Sequence, residues 1–146
     1  LIENVLPRSK PGHLHPATRS FQAIRIAVNK EYKELFDGLF SAEKVLSSGG
    51  YLVLVTFHSI EDRIVKRFIQ ARTGKLHSTS RYMPGTNDIE AQFTKVTRKA
   101  VKPSIDEISI NPRSRSAKLR IAKRTNIKPG QSLDLEELNV PIVGGY

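Results

Sequence analysis

Apolar positions along this 146-residue chain recur at two periods, and each change of period marks a new element. From Thr18 to about Leu46, the residues Phe21, Ile24, Val28, Leu35, Leu39, Ala42 and Leu46 stand three or four apart, which predicts one long amphipathic helix. Thr18 or Ser20 supplies its cap and Gly49-Gly50 its stop. The next stretch, Tyr51 to Phe57, is short and nearly all apolar. It reads as a strand buried on both faces, the kind found inside a parallel sheet. The strand runs directly into a second helix. Ser59 and Asp62 have capping-box spacing, Ile60, Ile64, Phe68 and Ala71 carry the helical period, and Gly74 is a stop. In open α/β sheets ligands bind outside the carboxyl ends of strands. His58, Ser59, Glu61 and Asp62 occupy that corner.

Downstream the period shortens to two. Phe93 to Val101 alternates apolar and polar residues and reads as a strand near a sheet edge, ended by Pro103. Ser104 and Glu107 can box a short helical turn. Ala117 to Arg124 sets Leu119 and Ile121 against Lys118 and Arg120 and reads as a further strand. Residues 75–91, rich in Gly, Ser, Thr, Pro and Asn, predict a surface loop. Residues 1–16 read as a connector and 126–146 as a peripheral tail, leaving 17–125 as the body of the domain. The opening Leu1 to Leu6 looks like the end of a helix already under way, so a preceding part is expected.

Charge sharpens this picture. There are 24 Lys and Arg against 14 Asp and Glu, a net +10, and that surplus favours a polyanionic partner, nucleic acid first. It is clustered: Arg113, Arg115, Lys118, Arg120, Lys123 and Arg124 follow one another without a carboxylate. Without cysteine there is no disulfide framework and no thiolate metal site, and His13 with His15 makes only two of the ligands a metal needs. No apolar run has the length of a membrane span, and a cytoplasmic protein is expected. Arg19 and Arg25 near the start of the first helix gain nothing from its dipole; each faces solvent, a carboxylate or an anionic ligand.

Three stretches are recognisable. His15 to Asn29 (HPATRSFQAIRIAVN), Phe57 to Phe68 (FHSIEDRIVKRF) and Asn111 to Arg120 (NPRSRSAKLR) closely resemble, in order, the bacterial small-subunit (16S) rRNA cytosine-N4 methyltransferase family. The resemblance implies a Rossmann-like α/β fold, of which this chain would be the C-terminal part: the last parallel strands, their helices and a final antiparallel strand. It further implies S-adenosylmethionine as cofactor, and small-subunit ribosomal RNA or the ribosomal subunit as partner. The family's Gly-rich cofactor turn has no counterpart here, since Gly49-Gly50 precedes a strand instead of following one. No cofactor-binding or catalytic residue is therefore carried over.

The candidates that remain are walls and phosphate contacts. A methyltransferase acting on a cytosine amine must extrude the base and align the amine with the sulfonium methyl. His58 either lines the base or cofactor pocket or only packs; Ser59 could line it too but is well accounted for as a cap, and Glu61 and Asp62 as complements to the helix dipole. Arg63 and Lys66 on the second helix, with Lys118 and Arg120, are candidate RNA contacts. If residues 93–101 and 117–124 pair antiparallel, the segment between them lies at the active edge of the sheet. Arg113 and Arg115 would then present guanidinium forks to RNA phosphates. An RNA-binding protein of the same fold without catalysis is the alternative, and another RNA or DNA substrate is compatible with the charge.

Overall fold

The computed structural model describes residues 16–74, 90–131 and 133. The connector before Pro16, residues 75–89 of the loop predicted at 75–91, His13, His15 and most of the tail lie outside the described residues.

The predicted long helix is two helices, α1 (Pro16–Asn29) and α2 (Glu31–Val45), separated by Lys30 in the left-handed conformation at φ 50°. That conformation costs a non-glycine residue roughly 1–2 kcal/mol, and local bonds bracket it. Arg25 Nε donates to Glu31 Oε1 at 2.7 Å and its Nη2 to Oε2 at 3.1 Å. Arg25 thus has a carboxylate partner, and its hydrogen bonds hold the Glu31 carboxyl below its ordinary range. The break also rotates the stripe. Phe21, Ile24 and Val28 face outward and Ile26 is buried in α1, whereas α2 buries Tyr32, Phe36, Leu39 and Phe40. Pro16 opens α1 at the position where proline is best tolerated, so Thr18 and Ser20 lie inside the helix and cap nothing.

Gly49, at φ 84°, turns the chain into β1 (Tyr51–Thr56), which leads to α3 (Ser59–Arg72). Gly74, at φ 70°, follows α3 as predicted. Then come β2 (Phe93–Lys95), α4 (Ile105–Ile110), a 3-10 turn (Pro112–Ser116) and β3 (Lys118–Arg124). Ser104 caps α4, its Oγ accepting from Glu107 N at 3.1 Å. The sheet is antiparallel in the order β1-β3-β2, with Val53 opposite Ile121 and Phe93 opposite Arg124. The expected pairing of the last two strands is present, although the first is cut short and resumes only as a bridge between Val101 and Leu119. No parallel pair occurs among the described residues.

The expectation that β1 is buried on both faces is not met. Leu52 and Thr56 point inward, while Tyr51, Val53, Val55 and Phe57 are each 54–57% exposed. Leu119 and Ile121 stand opposite Val55 and Val53 and share that outer face. Lys123 Nζ lies over the Tyr51 ring on this face, while Val53 and Val55 stay more than half exposed. Such a contiguous apolar face should enhance the fluorescence of a hydrophobic dye. Val53→Lys with Val55→Lys should quench that signal, and an unchanged signal would mean the face is covered in solution.

The core lies on the inner face. Ile64, Val65, Phe68 and Ile69 of α3 pack with Leu52, Ala122 and Phe93 of the sheet and with Phe36, Leu39 and Phe40 of α2. Phe68 is central, edge-on to Phe40 at 5.4 Å and to Phe93 at 6.2 Å. Charged residues are buried here too, Glu43, Arg72 and Arg124 among them. Glu43 Oε2 accepts from Arg72 Nε at 2.9 Å, and its Oε1 accepts from Gly130 N at 2.9 Å. Arg72 also donates to Gln131 O, so the described start of the tail is tied to the two helices.

Candidate functional site

The corner between β1 and α3 is built around His58. It is the N-cap of α3, with extended backbone, and its Nδ1 accepts from Glu61 N at 3.4 Å. Glu61 reciprocates, Oε2 accepting from Phe57 N at 2.9 Å and His58 N at 3.3 Å. The capping box is therefore His58 with Glu61, one residue ahead of the predicted Ser59 with Asp62. An imidazole nitrogen does the work usually given to a serine oxygen. Ser59 becomes the exposed first residue of the helix. His58 Nε2 lies 3.2 Å from Glu61 Oε1 but is not aligned to it, and is enclosed without a hydrogen bond.

His58 and Ser59 do come together on one cleft, of about 180 Å³, closed by Gln22, Ala23 and Ile26 of α1, Tyr32 of α2 and Ile60. The Tyr32 and His58 rings are 5.8 Å apart and tilted. Burial pushes the Tyr32 phenol up, and the Glu61 and Glu31 carboxylates add to it, so the hydroxyl stays protonated as a donor. Gln22 and Tyr32 were not among the residues picked from sequence. Within a helical pattern, no signal distinguishes a residue that lines a cleft from one that packs.

Asp62 is drawn to the sheet. Its carboxylate accepts from Arg120 Nε at 2.7 Å and Nη2 at 3.2 Å, and from Lys118 Nζ at 3.1 Å. Burial alone would push this carboxyl up, but the hydrogen bonds from Arg120 and then Lys118 overcome it and hold it below its ordinary range. Lys118 and Arg120 thus face α3 and bond its carboxylate, whereas Arg63 and Lys66 are exposed on α3.

Arg113 and Arg115 are placed differently. Asn111 Oδ1 accepts from Arg113 N at 3.2 Å, and Ser114 Oγ donates to Asn111 O at 2.8 Å, which winds the chain into a 3-10 turn. Buried Ser114 faces inward, and the arginines on either side of it are exposed. Both line an open cleft of about 430 Å³ with Phe57, Pro112 and Ser116, at the carboxyl end of β1. Phe57 and His58 are consecutive, so the arginine cleft and the His58 cleft lie on either side of one strand end.

Neither cleft suits the whole of S-adenosylmethionine. The His58 cleft is smaller than the roughly 300–1,000 Å³ of typical ligand sites. Neither is lined by a carboxylate for a ribose, and Gly49 and Gly50 lie at the opposite, amino end of β1. No cluster of ligands for a metal ion occurs among the described residues, and none of the described helices is long and apolar enough to cross a membrane.

Comparison with known proteins decides the family, for residues 1–125 match the model of the MraW methylase family. This chain belongs to the MraW methylase family. It is 55% identical over 141 residues to the ribosomal RNA small subunit methyltransferase H of Ruegeria sp. (strain TM1040), covering 97% of this chain and 43% of that protein. The protein of the same name from Roseobacter denitrificans is 52% identical over 143 residues, covering 98% of this chain and 43% of the relative. That from Jannaschia sp. (strain CCS1) is 51% identical over 146 residues, covering all of this chain and 44% of the relative. The chain therefore spans less than half the length of the curated relatives it matches. The MraW match takes in both clefts: α1, the β1–α3 corner and the arginine turn all fall within residues 1–125.

Proposed function

We propose that this chain supplies the RNA-facing wall of an S-adenosylmethionine-dependent methyltransferase that modifies the N4 amine of a cytosine in small-subunit ribosomal RNA. The relatives' names and the family match support the reaction class. The observation that carries the role of this chain is the pairing of Arg113 and Arg115 with Phe57 at the carboxyl end of β1, next to the His58 cleft. Strand ends of this kind are where α/β folds bind ligands. In this reading β1 and α3 are a strand–helix unit of a Rossmann-like sheet, and β3 is its final antiparallel strand. Arg113 and Arg115 clamp phosphates, while His58 and Ser59 wall the pocket that receives the extruded base or one end of the cofactor. The bulk of the cofactor site is supplied by sequence found in the longer relatives, because the residues described here do not fit it.

RNA binding across a salt series tests the reading. Arg113→Ala with Arg115→Ala should weaken binding of a small-subunit rRNA fragment and lower the slope of log affinity against log salt by roughly 2. Lys123→Ala, whose ammonium sits over the Tyr51 ring 5.6 Å away, should cost less. Losses per site that match would show a diffuse basic surface and sink the assignment. Methyl transfer to small ribosomal subunits by this chain alone would overturn the division of labour.

A further inference from the structure

The interruption after β2 builds a second basic cleft. Val96 N and Thr97 N both donate to Ile121 O, at 3.1 and 3.2 Å, and Thr97 Oγ1 accepts from Ile121 N at 3.0 Å. Two residues thus oppose one, which is a β-bulge, and bulges bend a strand and re-aim its side chains. Here Arg98 is placed against α3, where it lines a narrow cleft of about 50 Å³ with Lys66, Ile69, Gln70, Lys95, Thr97 and Arg120. Four of these seven residues are cations. The carboxylate bonded to Arg120 is Asp62, which is shared with Lys118. Among the described residues no carboxylate pairs with exposed Lys66 or Arg98.

We infer that this cleft holds a phosphate group of the RNA backbone, as a contact separate from the Arg113–Arg115 turn. Its volume suits a small tetrahedral oxyanion and excludes a base. Arg98 supplies a planar fork and Lys66 a point charge, the pairing of donors that phosphate takes best. Lys66, a candidate from sequence, thereby gains a specific partner, whereas Arg98 and Lys95 were hidden in what reads as an alternating edge strand.

The inference rests on the RNA reading above, and fluorescence anisotropy with a short labelled RNA separates the two. Lys66→Ala with Arg98→Ala should weaken binding and reduce the salt slope by about 2. Lys99→Ala with Lys102→Ala removes the same charge from exposed positions outside the cleft and should have a clearly smaller effect. Equal effects of the two pairs would overturn the cleft and leave RNA binding standing. Failure of the unaltered chain to bind RNA would remove both. Exchanging chloride for inorganic phosphate at constant ionic strength identifies the source of the phosphate. Selective release of RNA that disappears in Lys66→Ala with Arg98→Ala is expected if a backbone phosphate occupies the cleft, whereas phosphate binding lost in that variant that leaves RNA affinity unchanged would reassign the cleft to free phosphate. Thermal unfolding of each variant confirms that the fold is retained.

Discussion

Glu43→Ala is expected to lower the stability of this chain by roughly 3–5 kcal/mol, the range for removing one partner of a buried ion pair. Glu43 is 1% exposed and Arg72 6%. With the carboxylate gone, the guanidinium keeps Gln131 O and the faces of Phe40 and Phe68, with Cζ 5.0 and 5.8 Å from the ring centroids, but no counter-charge. Gly130 N loses its acceptor as well, a further cost of about 1 kcal/mol. Against a typical total of about 5–15 kcal/mol, this is enough to unfold much of the population. Two companions define the cause. Glu43→Gln keeps an acceptor and should cost clearly less. Glu43→Leu with Arg72→Met removes both charges and should recover much of the loss, because two apolar side chains need no pairing. Urea unfolding followed by circular dichroism measures all three. A loss under about 1 kcal/mol for Glu43→Ala would mean that water reaches the pair and that it does not anchor the tail.

That ion pair also shows where sequence reading runs short. Periodicity located α2 and α3, because Leu39, Ile64 and Phe68 repeat with the helix, and it located β3, because Leu119 and Ile121 alternate. It gave no reason to bury Glu43 or Arg72, since a charge in a helical pattern reads as a solvated position until its partner, 29 residues away, is known. The break at Lys30 was invisible for a similar reason. Neither Gly nor Pro marks it, and its left-handed backbone is held by bonds between Arg25, Asn29 and Glu31 that span it. The apolar run of β1 was correctly read as a strand, but composition cannot say whether both faces are covered. The arginine turn was legible as a basic segment between two antiparallel strands, but its position beside Phe57 was not, because it comes from the pairing of β1 with β3 that sets Thr56 opposite Lys118. The identity of the cap was not legible. Ser59 and Asp62 have the better sequence pattern, yet Asp62 is more strongly held by Arg120 and Lys118 across the fold.

Asp62 should accordingly govern the response to acid. Its folded-state carboxyl titrates below its ordinary range, net of a burial effect that opposes the hydrogen bonds from Arg120 and Lys118. A depressed folded value means that the stabilisation is fully present above the unfolded value, about 3.9 for aspartate, and is lost as pH falls through the folded value. At neutral pH, Asp62→Asn should cost roughly 3 kcal/mol, because Arg120 and Lys118 would be left half-enclosed and facing an uncharged amide. As pH drops below about 4 the unaltered chain should lose stability and approach the variant, whose own curve lacks this contribution. The difference between the two curves isolates Asp62 from the other carboxylates, among them Glu31, whose folded value is also depressed. The same contact fixes the amino end of β3, just after the turn that carries Arg113 and Arg115. Asp62→Asn should therefore also weaken RNA binding, while Asp106→Asn on exposed α4 should not. Urea unfolding from pH 7 to pH 2 provides the check. A stability difference that stayed constant across the acid range would show that the carboxylate is not charged against Arg120 and Lys118 in the folded chain.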